Sequence, residues 1–257
     1  MPPSLIITTS HNLPAERHER ADQVATRCGV ERVARSGSLP LLFEQTGAEL
    51  LYVVEADREV LLAREGGSIG VDEGMLKTRL HAGLEHPLIR AAAPSPIDGI
   101  VDATLGLAAD ALHLTAALGV PLIGTEISPV VFCLIEGGLA RLRRGPDPAA
   151  SAARLIEPRC EGARTCLEAL GPDSVDVVYL APMFSEPKRA VPGYPLFRKI
   201  AHGDPLDEAT LEAARVAARQ RVVLKLAKGE DVPGCWPTGE DRSVVGKAVA
   251  YRVWETR

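Results

Sequence analysis

Between Ile100 and Lys225 the chain alternates, without repeating its sequence, between short apolar runs that end in glycine- or proline-bearing turns and segments with helical spacing. Ile100-Val-Asp-Ala103 leads through Gly106 to a helix over Asp110–Leu118 that Gly119 stops. Leu122-Ile-Gly-Thr-Glu126 leads to a helix over Pro129–Arg144, closed by Gly145-Pro146. Val175–Leu180 and Arg221–Lys225 are further strands, with an amphipathic helix over Leu206–Arg219 between them. Strands separated by helices cannot form hairpins; they pair in parallel and need helices on both faces. The pattern therefore predicts an α/β fold around an open parallel sheet. The end of the chain departs from it, because Val244-Val245, Gly246-Lys247 and Ala248–Trp254 read as a terminal hairpin or strand pair.

The first part of the chain has a different rhythm. Leu5–Thr9, Leu50–Val54 and Glu59–Leu62 read as strands, and Gly66-Gly67 as a break. Ala15–Cys28 reads as a helix with Ala21, Val24 and Ala25 on one side, stopped by Gly29, and Val71–Ala93 as helical in part despite His86-Pro87. Pro94-Ser-Pro96 is the expected boundary, leaving an N-terminal α+β extension over 1–95 and the main domain over 96–257. Composition narrows the function classes. With 29 basic and 34 acidic side chains, the formal charge of −5 excludes a uniformly basic nucleic-acid coat but not a local basic patch. Five scattered cysteines without a C-x-x-C pair argue against a disulfide framework or zinc site and for a reducing, cytoplasmic setting. The six histidines form no metal-ligand pattern, and no apolar run approaches a membrane span.

Three strand ends carry the candidate chemistry. In Val101–Asp110 a strand feeds a glycine turn at the carboxyl edge of the sheet, where open α/β sheets bind ligands. Gly106 permits close backbone approach, Ala108 and Ala109 leave room, and Asp102 can hold a cation or a hydroxyl. A helix-start turn without a ligand fits these residues equally well. The G-x-G-x-x-G of a dinucleotide site is missing, which argues against a diphosphate. Glu126 closes the next strand, where an acid can accept from ribose hydroxyls or merely be solvated. At the third strand end, Pro182 fixes the backbone ahead of Met183 and Phe184, whose ring can stack on a planar base or simply join the core.

Together, Asp102-Ala-Thr-Leu-Gly-Leu-Ala-Ala-Asp110, Val178-Tyr-Leu-Ala-Pro-Met-Phe184 and Arg221-Val-Val-Leu-Lys225 resemble the class I S-adenosylmethionine-dependent methyltransferases. More narrowly, they resemble the family of the bacterial small-subunit ribosomal RNA (guanine-N2-)-methyltransferase and its Gram-positive relatives. Ile7–Ser10 and Gly83–Ala91 look like the N-terminal region of the same family. The resemblance implies a Rossmann-like sheet with a reversed seventh strand, which Val244–Trp254 would supply. It implies S-adenosyl-L-methionine as cofactor, no metal, and RNA as partner. It implies that Asp102, Thr104, Gly106, Leu107 and Asp110 line the cofactor pocket, that Glu126 binds the ribose, and that Glu161 meets the adenine amine. The catalytic loop would be Ala181, Pro182, Met183 and Phe184.

One position departs from the family. Where its pattern has Asp before Pro-Met-Phe, this chain has Ala181, whose methyl group cannot accept a hydrogen bond from an exocyclic amine. The carbonyls of Leu180 and Ala181 remain as acceptors. The alternative is therefore a degenerate methyltransferase fold that binds RNA or the cofactor without turnover. A nucleotide-dependent oxidoreductase is disfavoured by the missing glycine pattern. For RNA contact, the expected residues are Lys188, Arg189, Arg198 and Lys199, in the loop after Phe184. Arg141–Arg144 reads as a solvated basic face.

Overall fold

The computed structural model describes residues 3–93, 95–182, 193–201, 206–237 and 241–256. Two sheets organise it. The first has the order β1-β2-β3-β4, with β1 Leu5–Thr9, β2 Leu50–Val54, β3 Glu59–Ala63 and β4 Ser68–Ile69. β1 pairs with β2 in parallel, and the remaining pairs are antiparallel. Between β1 and β2 lie α1 Ala15–Cys28 and α2 Leu39–Thr46. Gly29, in the left-handed region at φ 64°, ends α1, and Ala21, Val24 and Ala25 form its buried face. The short helices α3 Leu76–Leu80 and α4 Pro87–Ala92 follow β4, with a 3₁₀ turn over Gly83–Glu85. The helical segment expected over Val71–Ala93 is thus broken into pieces, at left-handed Gly83 and before Pro87.

The second sheet has seven strands among the described residues, in the order β10-β11-β9-β8-β5-β6-β7. They are β5 Ile100–Asp102, β6 Leu122–Thr125, β7 Ile156–Arg159, β8 Val175–Leu180, β9 Ala218–Ala227, β10 Asp241–Val245 and β11 Val249–Glu255. β9, β8, β5, β6 and β7 are parallel, whereas β11 runs antiparallel to both of its neighbours. The helices are α5 Ala109–Leu118, α6 Pro129–Leu142, α7 Ala149–Arg154, α8 Ala163–Leu170, α9 Tyr194–Ile200 and α10 Glu208–Ala217. From β5 the chain builds outward through β6 and β7, then returns to add β8 and β9 on the other side. This reversal opens a crevice at the carboxyl end of β5, the topological switch point of such sheets.

The expected strands and long helices are present, and the terminal pair is β10 and β11. Sequence patterning assigned no elements to α2, β4, α7, β7 or α8, and α9 stands where it expects the loop carrying Arg198 and Lys199. β7 carries Pro158 and charged residues, which the sheet tolerates because β7 lies on its edge. Among the described residues no helix is long and apolar enough to cross a membrane.

The two sheets meet through α6. Glu59, buried at the start of β3, accepts from the Tyr52 hydroxyl and pairs with Arg20 at 3.1 Å and Arg17 at 3.4 Å. Arg20 also reaches Glu136 of α6 at 3.0 Å and the Cys133 carbonyl at 2.8 Å. Such close approach requires small residues on α6. A β-carbon on Gly137 would stand 2.3 Å from Glu59 Cδ, and one on Gly138 would stand 2.3 Å from Val71 Cβ. The latter clash involves an atom fixed to the backbone, so relief demands that the two elements separate. Gly138→Ala should therefore lower stability by about 1–3 kcal/mol although alanine is the better helix former. A lower denaturant midpoint with an unchanged slope is the expected result.

Candidate cofactor site at the switch point

The turn after β5 is fastened to both neighbouring strands. Ala103 N–H donates to the Tyr179 carbonyl of β8 at 3.0 Å, and Leu105 N–H to the Thr125 carbonyl of β6 at 2.9 Å. Thr104 Oγ1 accepts from the Ala181 N–H at 2.6 Å, tying this turn to the first residue after β8. Gly106 at φ 51° and Ala108 at φ 60° take left-handed conformations that let the chain reverse into α5. Leu107 between them is half-buried against the core. Gly124 of β6 makes room for Leu105, since a β-carbon there would stand 2.6 Å from Leu105 Cδ1.

Acids line this edge. Asp102, almost fully buried, accepts from the Thr104 N–H at 3.1 Å. Burial pushes its carboxyl up to about 7, with a smaller opposing pull from the Thr104 N–H and from Lys225. Glu126, immediately after β6, accepts from the Ser128 N–H at 2.8 Å. Burial likewise raises it to about 7, against the backbone N–H groups of Ser128, Gly106 and Ile127. The Gly106 N–H thus faces the Glu126 carboxylate, bringing the two sequence-predicted pieces together. Glu161 follows the third strand of this series, β7; it is half-buried, 4.0 Å from Arg159 and hydrogen-bonded to the Cys166 thiol. The buried Thr125 hydroxyl, one residue before Glu126, has no partner among the described residues.

Asp110 has a different environment from the other acids. Its Oδ1 lies 2.8 Å from Arg79, and its Oδ2 accepts from the Tyr179 hydroxyl at 2.8 Å and from Lys225 at 2.5 Å. Burial opposes its charge, but Lys225 and Arg79 outweigh it and hold the carboxyl well below the usual range. Asp110 is therefore saturated by protein partners, whereas Asp102 and Glu126 are desolvated acids with spare acceptor capacity. Sequence patterning gives Arg79, Tyr179 and Lys225 no role at this edge. Tyr179 and Lys225 stand inside the quoted motifs, and that was the available signal.

Ala181 and Pro182 are half-buried at the carboxyl end of β8, beside the Asp102–Gly106 turn. Met183, Phe184, Lys188 and Arg189 lie outside the described residues. Arg198 and Lys199 are exposed on α9, with Lys199 3.3 Å from Glu65. The solvated face expected at Arg141–Arg144 holds for Arg143 and Arg144, which are exposed, but not for the half-buried Arg141. Arg141 binds Glu73 at 2.6 Å and the Val71 carbonyl at 3.1 Å, and Arg143 binds the Ala153 and Ile156 carbonyls. Backbone carbonyls of buried residues engage those guanidinium groups, so even the exposed Arg143 is tied to the fold. Lys225, the last residue of the Arg221–Lys225 motif, is the Asp110 partner.

These features fit a cationic nucleoside: a turn without a side chain at Gly106, two uncompensated buried acids, and an unpartnered hydroxyl at Thr125. The family model for SAM-dependent methyltransferases matches residues 51–234. The chain belongs to this family. Its cofactor is S-adenosylmethionine, and the mostly parallel sheet is the Rossmann-like sheet of class I methyltransferases. Ribosomal RNA small subunit methyltransferase J of Thioalkalivibrio sulfidiphilus is 30% identical over 250 residues, 93% of this chain and 93% of that one. The enzyme of the same name from Nitrosococcus oceani is 33% identical over 187 residues, covering 70% and 72%. YpiP of Bacillus subtilis is 29% identical over 225 residues, covering 86% and 88%. Among solved structures, a SAM-dependent methyltransferase from Neisseria gonorrhoeae superposes with a TM-score of 0.70 at 22% identity, covering 98% of this chain and 96% of that one.

The raised acids give a pH signature to the methyltransferase itself. Folded, Asp102 and Glu126 keep their protons up to about pH 7; unfolded, they release them near pH 4. Between these limits the folded state binds more protons, so their contribution to stability is greatest below the window and is lost as pH rises through about 7. Asp102→Asn and Glu126→Gln should each flatten that fall, measured by denaturant unfolding from about pH 4 to 8.

Proposed function

We propose that this enzyme transfers a methyl group to an exocyclic base amine, guanine N2, in ribosomal RNA of the small subunit, as a cytoplasmic protein. The observation that carries the reading is the pair of desolvated acids, Asp102 and Glu126, at adjacent strand ends beside a turn that has no side chain at Gly106. The names of the relatives matched along most of the chain point to RNA of the small ribosomal subunit, and the resemblance of the motifs points to guanine N2.

In this reading Asp102, Thr104, Gly106 and Leu107 form one wall of the cofactor site, Glu126 accepts from the ribose hydroxyls, and Glu161 meets the adenine amine. S-adenosylmethionine supplies an electrophilic methyl group on a sulfonium centre. Asp110 serves as a positioning residue: through Tyr179 and Lys225 it fixes the ends of β8 and β9 around the loop that receives the base. The Thr104–Ala181 hydrogen bond holds the start of that loop against the cofactor wall. The carbonyls of Leu180 and Ala181 accept from the amine and orient its lone pair, and Pro182 keeps them from folding back into a helix. Phe184 stacks on the base, and Lys188, Arg189, Arg198 and Lys199 contact phosphates. The division at residues 95 and 96 separates an N-terminal extension from the domain holding this site, although Arg79 of the extension reaches Asp110.

Ala181 favours one competing reading, a fold that binds cofactor or RNA without transfer. Calorimetry with S-adenosylmethionine, followed by methyl transfer to small-subunit RNA lacking the modification and nucleoside mass analysis, separates them. N2-methylguanosine is the expected product, whereas cofactor binding without any transfer overturns the catalytic reading. Ala181→Asp, which restores the missing acceptor, should raise the transfer rate by about ten- to a thousandfold.

A further inference from the structure

Helix α9 lies across the cofactor edge. Leu196 and Ile200, one turn apart, are buried and anchor the helix to the core. Phe197, one position on from Leu196, is only half-buried and points its ring at the glycine turn: a β-carbon on Gly106 would stand 3.5 Å from Phe197 Cζ. The end of the helix is latched by the Ser128 hydroxyl, which donates to the Ile200 carbonyl at 2.8 Å. The same Ser128 gives its N–H to Glu126 at 2.8 Å. At its other end Gly193 rests on β4, where a β-carbon would stand 2.5 Å from Ile69 Cγ2. The helix is therefore held from both sides, with its aromatic ring directed at Gly106 and its last carbonyl joined through Ser128 to Glu126.

We propose that Phe197 is a cofactor-contacting residue, an apolar wall that closes the S-adenosylmethionine site over the Gly106 turn. Only four phenylalanines occur in the chain, and a half-exposed ring placed against Gly106, which has no side chain, gains further burial when a ligand fills the space beside it. The Ser128 bridge couples the two ends of the site. Ribose hydroxyls on Glu126 stiffen the segment that carries the latch, and the latch holds the helix that carries the wall. This inference rests on the cofactor placement given above and adds a residue outside the motifs.

The test uses the full chain and S-adenosylhomocysteine as probe, by calorimetry and by hydrogen exchange. Binding should slow exchange of the amides of residues 193–201 in the unaltered protein; unchanged exchange there overturns the proposal and needs no variant. Phe197→Ala should weaken binding by about tenfold or more, the effect of withdrawing one buried apolar face. Phe197→Leu, which keeps the bulk, should recover most of the affinity, and the melting temperature of the unliganded protein reports any loss of fold. Binding that is equal or tighter in Phe197→Ala overturns this proposal alone. Failure of the unaltered chain to bind the probe overturns the cofactor placement, and the role of Phe197 with it.

Discussion

The site depends on how the Asp102–Gly106 turn is held. Three hydrogen bonds fasten it: Ala103 N–H to β8, Leu105 N–H to β6, and Ala181 N–H to Thr104 Oγ1. The strands it bridges are those at which the sheet reverses its order, so a single turn sets the spacing of the crevice on both sides. Leu105 tucks over Gly124, which lets the turn lie flat on β6 and brings the Gly106 N–H to Glu126. A displaced turn would misplace the acid at one strand end and the loop at another together.

Charge is distributed over this frame in two ways. Asp110 is surrounded by Arg79, Tyr179 and Lys225, so it remains an anion at any pH at which the protein works and contributes rigidity. Breaking such a mostly buried set leaves uncompensated charge, and its value lies in fixing four elements relative to one another. Asp102 and Glu126 have hydrogen bonds from backbone N–H groups but no cationic partner close enough to offset burial. A buried acid whose proton is released near neutrality is matched to a ligand that brings a positive charge and hydroxyl donors. A diphosphate would meet repulsion at the same place.

The fold was legible wherever periodicity met punctuation. β1, α1 with its Gly29 stop, β2, β8 and the terminal strand pair follow directly from apolar runs bounded by glycine or proline. The stretch from Gly145 to Ser174 was not legible, because β7 contains a proline and charged residues and α7 is an alanine-rich helix without an apolar stripe. The site divides in the same way. Asp102, Gly106 and Glu126 stand at strand ends that patterning locates. Arg79 and Phe197 come from segments without alternation and reach the site only through tertiary packing, which no spacing rule expresses. Arg141 shows the converse: within a charge run that is otherwise exposed, it is half-buried and binds Glu73 and the Val71 carbonyl.

The alanine at position 181 is best understood through its backbone. Its N–H is already committed to Thr104 Oγ1, so the residue is held in place independently of its side chain. An aspartate there would add an amine acceptor without altering that bond, and its loss removes a positioning contact while leaving the cofactor wall and the strand end intact. What remains for the proposed amine are the carbonyls of Leu180 and Ala181, neutral acceptors that would orient it with less electrostatic pull than a carboxylate. In the proposed reaction, position 181 is thus the place where affinity for the base and the rate of transfer would separate: the first would rest on the crevice and the loop, the second on the charge of one acceptor.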